Sequence, residues 1–461
     1  MPELLQPLRD KRFRWLFFSQ LISLTGTGLA TVALALLAYE LSPTSAGAVL
    51  GTALAVKMVA YLTIAPVVGS YASLLPRKYW LAGLNLARAG VVACLPFIAE
   101  AWQLYLLIFL LNALAAGYTP VYQALLPDIL PEEQSYNQAL SLSRLATEME
   151  ALLSPALAAA LLLLLPYDLL FTFNSIAFVI AAAFIGLVTL PIAQTTERGG
   201  GVWHRISFGV HSYLKTPRLR GVLALNLALS LAGAMVIVNT VVYVREVLGL
   251  SEEAVPLLMM ATGVGSIAAA LLLPALMQRF NDRNLMLSGA LLFPLSLLLG
   301  AAPHSYVSLF PLWVVIGFAT SLVLIPTGKV IRDSCQAGDR NDFFAANFAL
   351  THGMWLIGYL LAGQLGAQLG LTETFVMLAA MAAVAILIAS QQWAKAEPEA
   401  IWHEHQALDH THPHIHDAHH QHAHEGWEGP EPHTHMHHHA TVKHKHPFTI
   451  DEHHVHWPKE Q

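Results

Sequence analysis

Twenty of the 24 histidines in this 461-residue chain lie between His403 and His456, most of them spaced two apart. The repeats are His403/His405, His410/His412/His414/His416, His419-His420, His422/His424, His433/His435/His437, the run His437-His438-His439, His444/His446, and His453-His454 with His456. Imidazole is the commonest protein ligand for Zn, Ni, Cu and Co, and a pKa of about 6.5 leaves it neutral and able to ligate near pH 7. One methionine, Met436, and no cysteine in the segment disfavour soft ions such as Cu(I), leaving Ni(II), Co(II), Zn(II) or Cu(II). Pro413, Pro430, Pro432, Pro447 and nine Asp and Glu from Glu404 onward predict a flexible chain that orders around ions. The same interleaving separates this tail from a purification tag, which is a uniform His run.

A second set of reactive groups stands in apolar surroundings: Lys57, Arg88, Arg144, Glu148, Glu150 and His352. An ionised side chain at membrane depth is costly, so it marks a pathway, a proton relay or an internal ion pair. At 1.5 Å per residue, Glu148 and Glu150 lie about 15–18 Å along their span, His352 about 14 Å and Lys57 about 18 Å, all near a bilayer midplane. Carboxylate plus imidazole is a suitable set for a borderline divalent ion that must be released again. Glu148, Glu150 and His352 are therefore candidate metal ligands or coupling-proton carriers, with Asn226 and Asn239 as candidate oxygen donors. Glu148 and Glu150 are about 200° apart around a helix axis, so both cannot face one narrow cavity. Arg144 is the i,i+4 partner of Glu148, which would leave Glu150 as ligand; the reverse assignment stays open. For His352, an interhelical hydrogen bond is the alternative to ligation.

The elements that carry these groups are membrane spans. The chain is 55% hydrophobic and 12% charged, with a mean hydropathy of +0.53. Twelve apolar runs of about 20 residues or more, each long enough for a ~30 Å hydrocarbon core, fall near 13–39, 45–75, 79–99, 102–126, 138–165, 169–190, 219–244, 254–278, 284–302, 305–326, 343–370 and 372–393. The first is long and lacks a small-residue cleavage site, so it is expected to stay as an anchor. Arg9, Lys11, Arg12, Arg14, Arg77, Lys78, Arg198, Arg205, Lys215, Arg218, Arg220, Arg279, Arg283, Lys329, Arg332 and Arg340 all fall on one side; the opposite loops carry one basic residue, Arg245. By the positive-inside rule both termini, and the His tail, are cytoplasmic. Cys94 within a span and Cys335 in a loop make a structural disulfide improbable. Nothing suggests a nucleic-acid partner; a divalent metal ion and membrane lipid are the expected ones. No nucleophile constellation, no resident cofactor loop and no Gly-x-x-x-x-Gly-Lys-Ser/Thr phosphate loop is present, which argues against an enzyme and against a self-contained ATP-driven pump.

The spans divide six and six around residues 191–218. Gly69-Ser-Tyr-Ala-Ser-Leu-Leu-Pro-Arg77-Lys78 and Pro274-Ala-Leu-Met-Gln-Arg279-Phe-Asn-Asp-Arg283 resemble the loop signature of the major facilitator superfamily, with Ser73 and Gln278 where that signature has Asp. Phe13-Arg-Trp-Leu-Phe-Phe-Ser-Gln and Asn137-Gln-Ala-Leu-Ser-Leu-Ser-Arg144 look like its branch of siderophore and macrolide exporters. Arg144-Leu-Ala-Thr-Glu148-Met-Glu150, Pro326-Thr-Gly-Lys329 and Phe343-Phe-Ala-Ala-Asn-Phe-Ala-Leu-Thr-His352 resemble nickel-resistance exporters with His-rich C-termini; Glu148 stands where that group has Asp. The resemblance implies an all-α integral membrane protein of the bacterial cell membrane: a six-helix half at 1–190, a linker at 191–218, a second half at 219–395 and a disordered tail at 396–461. It also implies that spans 2, 5, 8 and 11 border the cavity, which carries Lys57, Arg144, both glutamates and His352, whereas Arg88 on span 3 is structural. The expected activity is export of Ni(II), or of Co(II) or Zn(II), in exchange for protons. The rivals are a drug or siderophore exporter with an accessory tail, and a membrane-anchored metal store or sensor. Oligomeric state is not readable.

Overall fold

The computed structural model describes residues 4–41, 46–72, 75–191, 202–251, 254–302, 305–395, 401–405, 408–414, 433–439, 442–446, 448–450 and 457, the tail strands by their backbone alone. The body is all-α. Six long helices form the first half: α1 (Lys11–Leu41), α2 (Ala46–Tyr71), α3 (Arg77–Cys94), α4 (Ala101–Ile129), α5 (Glu133–Leu162) and α6 (Asp168–Gly186). A shorter helix, α7 (Val202–Lys215), follows. The second half comprises α8 (Pro217–Val242), α9 (Ala254–Arg279), α10 (Asp282–Gly300), α11 (Tyr306–Arg332), α12 (Arg340–Leu369) and α13 (Leu371–Gln392). Ten of these are long and apolar enough to cross a membrane; α2 qualifies over Ala55–Tyr71. The exception, α5, carries Glu133, Arg144, Glu148 and Glu150.

Local signals set the helix ends. Asn281 caps α10 by accepting the Asn284 N–H at 2.8 Å, Glu100 and Gln103 form a capping box on α4, and Pro217 occupies the first turn of α8, where its missing N–H costs nothing. Gly370, at φ 92°, joins α12 to α13 as a single residue in a conformation that disfavours a side chain. Each half has its own buried core. Leu225, Phe293, Trp313 and Phe375 belong to that of the second half; Phe13 and Tyr136 to one cluster of the first, Leu104 and Phe178 to another. Outward positions such as Leu86, Phe97, Leu163 and Leu299 are exposed leucines and phenylalanines, as a lipid-facing surface requires. The closest approach is between α9 and α11. A Cβ on Gly265 would fall 1.8 Å from the Val314 carbonyl oxygen, and one on Gly317 1.8 Å from that of Thr262.

The linker contains a helix that the charge-rich sequence did not signal. Tyr213 on α7 donates to Asn347 Oδ1 at 3.0 Å, Ser70 of α2 donates to the Arg205 carbonyl at 2.8 Å, and Gly209 lies against the Asp342 backbone. α7 thus straps α2 and α12, one from each half, at the end of the bundle where α1 begins; we call this the linker end. Residues 192–201 of the expected linker lie outside the described residues.

The tail also departs from expectation. Where composition predicted a flexible chain, four segments are strands: β1 (Ile401–His405), β2 (Leu408–His414), β3 (His433–His439) and β4 (Val442–His446). β1 pairs antiparallel with β4 and β2 with β3. His416, His419, His420, His422 and His424 lie outside the described residues.

Candidate functional site

The membrane-depth charges sit on two seams between the halves. At the first, α5 meets α9 and α11. Arg144 forms an ion pair with Glu148, both largely buried, and its Nε donates across the seam to Ser266 Oγ at 3.2 Å and Ser321 Oγ at 3.4 Å. The two serines are bonded to each other at 2.5 Å. Gly265 explains how a serine pair comes within reach: without a side chain it lets α9 and α11 touch backbone to backbone, which draws their neighbouring hydroxyls together.

At the second seam, α2 meets α12. The Lys57 ammonium lies 5.6 Å from the Tyr61 ring centroid, and Tyr61 meets the His352 ring edge-on at 4.5 Å and Phe348 at 4.9 Å. His352 Nδ1 is 2.7 Å from the Phe348 carbonyl oxygen. A carbonyl only accepts, so Nδ1 carries the hydrogen and the neutral ring keeps its lone pair on Nε2. That is the arrangement of a metal-ligating histidine, whose other nitrogen is oriented by a backbone carbonyl.

Glu150 faces elsewhere. Its Oε1 and the Ser154 hydroxyl occupy the space that a Cβ on Gly28 of α1 would need, so the carboxylate lies within the first half. Asn226 donates to the Val222 carbonyl one turn back. Asn239 donates to the Ala362 carbonyl at 3.0 Å and ties α8 to α12. Glu148, Glu150 and His352 are thus held by three different neighbours. No group of three His, Cys, Asp or Glu able to hold a metal occurs among the residues whose side chains are described. Arg88, 9% exposed, stacks on Phe178 at 4.1 Å and Tyr118 at 5.8 Å, two aromatic faces in place of a carboxylate.

The sequence reading missed a charge network at the linker end. Asp128, in the last turn of α4, accepts from Arg77 of α3 at 2.5 Å and from Arg340 of α12. Lys329 of α11 lies 2.6 Å from Glu133 of α5 and 3.1 Å from Asp282 of α10. The Arg332 guanidinium packs 4.9 Å from the Tyr136 ring. Asp128–Arg340, Glu133–Lys329 and Tyr136–Arg332 each join one half to the other. With α7 and the contact of Gly69 against Ala345, where a Cβ would meet the methyl at 2.7 Å, they close the bundle at this end. The available signal was an acid-rich turn, Asp128 to Glu133, between spans whose neighbours begin and end in Arg and Lys.

These features match a known family over nearly the whole body. The family model for the Major Facilitator Superfamily matches residues 16–251 and 222–409. The chain is 30% identical over 131 residues to the uncharacterized MFS-type transporter YvqJ of Bacillus subtilis, covering 27% of this chain and 30% of that one. It is 24% identical over 190 residues to macrolide efflux protein A of Streptococcus pyogenes, covering 39% and 45%. These matches span less than half the length of either relative. The human organic anion transporter MFSD10 superposes with a TM-score of 0.70 at 14% identity, covering 82% of this chain and 99% of that structure. A bacterial homologue of the iron transporter ferroportin, in an outward-facing state, gives 0.65 at 17% identity over 82% and 98%. The two-halved helical bundle and the family match agree: the chain belongs to the Major Facilitator Superfamily.

Proposed function

We propose that this transporter exports Ni(II), with Co(II) and Zn(II) as further cargoes, from the cytoplasm in exchange for protons, and so gives metal resistance. The observation that carries the reading is the tail: twenty histidines following a transporter body whose membrane-depth groups include two carboxylates and an imidazole. The basic residues cluster at the linker end, which makes that end cytoplasmic by the positive-inside rule. The tail then captures ions where an exporter needs them and raises their concentration at the cavity mouth, as any tethered ligand does. In this reading the closed linker end belongs to the outward-facing state, in which an exporter releases its ion. Separated ligands suit that state: Glu148 is occupied by Arg144, Glu150 lies against α1, and His352 keeps one available nitrogen. Rocking of the halves would bring His352 and a glutamate together when the cytoplasmic end opens. Glu and His bind either protons or metal, so protons entering from outside displace the ion.

A second reading, export of an organic compound, is favoured by the similarity to macrolide efflux protein A. The deciding measurement is the Ni, Co, Zn and Cu content of metal-challenged cells with and without the protein. Lower content of one metal supports export and names the ion; unchanged content together with organic-substrate efflux supports the second reading. Everted vesicles test the coupling: metal flux that ignores an imposed pH gradient excludes proton antiport.

A further inference from the structure

The His-x-His repeat of the tail has a period of two, the side-chain period of a strand. In the β2–β3 ladder His410 is opposite His437, His412 opposite His435 and His414 opposite His433. Alternate residues of a strand share a face, so these six histidines occupy one face of the pair. His439, opposite Leu408, extends the same row. The other face takes Asp409, Thr411, Pro413, Thr434, Met436 and His438. β1 and β4 repeat the pattern on a smaller scale: His403 is opposite His444, with His405 and His446 on the same face and Trp402, Glu404, Lys443 and Lys445 on the other.

Pro413 identifies the rungs. It has no N–H to give, so Pro413–Thr434 must be a non-hydrogen-bonded pair. The histidine pairs on either side are then the hydrogen-bonded rungs, with Cα atoms about 5.5 Å apart across the ladder. Successive histidine rungs are about 6.8 Å apart along it, twice the rise per residue. A face with these spacings gathers three or four imidazoles within reach of one ion, and water completes the coordination.

We propose that the paired strands form a metal-binding ladder, in which a borderline divalent ion is held by imidazoles of adjoining rungs on one face. The central rung, His412/His435, is shared by the two adjoining sites; His403, His405, His444 and His446 form a separate one. The proposal rests on the tail being a metal-binding segment and adds that strand register, more than the number of histidines, sets the affinity.

The test uses full-length protein in detergent and Ni(II) alone, with bound metal measured by equilibrium dialysis. The variant T411H/H412T/H435M/M436H moves the central rung to the opposite face and leaves the histidine count unchanged. The expected result is at least about tenfold weaker binding of the first equivalents, since even outer partners of a metal site are worth about 10–100-fold. Equal affinity for variant and parent overturns the ladder and leaves a tail that binds by composition. A parent that binds no more Ni(II) than a chain lacking residues 403–461 overturns the metal-binding tail itself.

Discussion

Replacing Arg340 by Gln removes the one arm of the Asp128 cluster that crosses between the halves, since Arg77 and Asp128 both belong to the first half and move together. Asp128 and Arg340 side chains are each 18% exposed, so the pair is shielded from solvent and salt without being fully desolvated. A hydrogen bond to a charged group contributes about 1.5–3 kcal/mol. Losing it only from the closed state should shift the equilibrium between closed and open linker ends by a factor of about 5–150. D128N should behave differently. It also strands Arg77, 1% exposed, for which the cost of breaking a buried pair is about 3–5 kcal/mol, so this variant loses fold stability as well as closure. The assay is a distance distribution between spin labels at Leu75 and Phe280, both exposed and on linker-end loops of opposite halves, in a C94A/C335A background in nanodiscs. R340Q should populate a longer distance with little change in melting temperature, and D128N should lower both. An unchanged distribution in R340Q refutes the assignment of this cluster as a tie between the halves.

G265A should lower the melting temperature in detergent: its new methyl meets a backbone oxygen, and overpacking costs about 1–3 kcal/mol or more. G90A, with nothing within 4 Å, should be neutral or slightly stabilising. R144Q and E148Q should each reduce transport and stability, and R144Q/E148Q should show a coupling energy of about 0.5–3 kcal/mol in a double-mutant cycle. Burial pushes the Cys335 thiol well above its ordinary range, so in a C94A background it should react slowly with maleimide near pH 7. Only the thiolate attacks; the rate should rise with pH far above neutrality, and at fixed pH it should rise when R340Q opens the linker end.

The helices were legible because a bilayer demands long apolar runs, and each of the twelve helices overlaps an expected span. α7 was not legible: fourteen residues with Arg205 and Lys215 read as a solvated loop, and its role depends on Ser70 and Asn347, distant in sequence. The membrane-depth charges announced themselves by their cost, but their partners did not. Nothing in the order of residues links Arg144 to Ser266 and Ser321, or Asp128 to Arg340, because those pairings arise from how the halves meet. The tail shows a different failure. Its proline and charge content predicted flexibility, while the period-two spacing of its histidines already carried the strand signal.

The nature of the seams bears on how such a carrier moves. Hydrocarbon gives no hydrophobic force between helices in a membrane, so the halves are held by close packing and polar ties. Here the ties are few and discrete: three at the linker end, the Arg144–serine contact, and the aromatic group around Tyr61 and His352. Each is of the order of about 1–3 kcal/mol, the size that differential binding of one proton or ion can offset. A seam built instead on contacts like Gly265 against Val314, backbone against backbone, could not be exchanged so cheaply. Those contacts occur within a half, between α9 and α11, while the interchangeable ones lie between halves. This distribution keeps each half rigid and makes the contact between halves the part of the molecule that a ligand can shift.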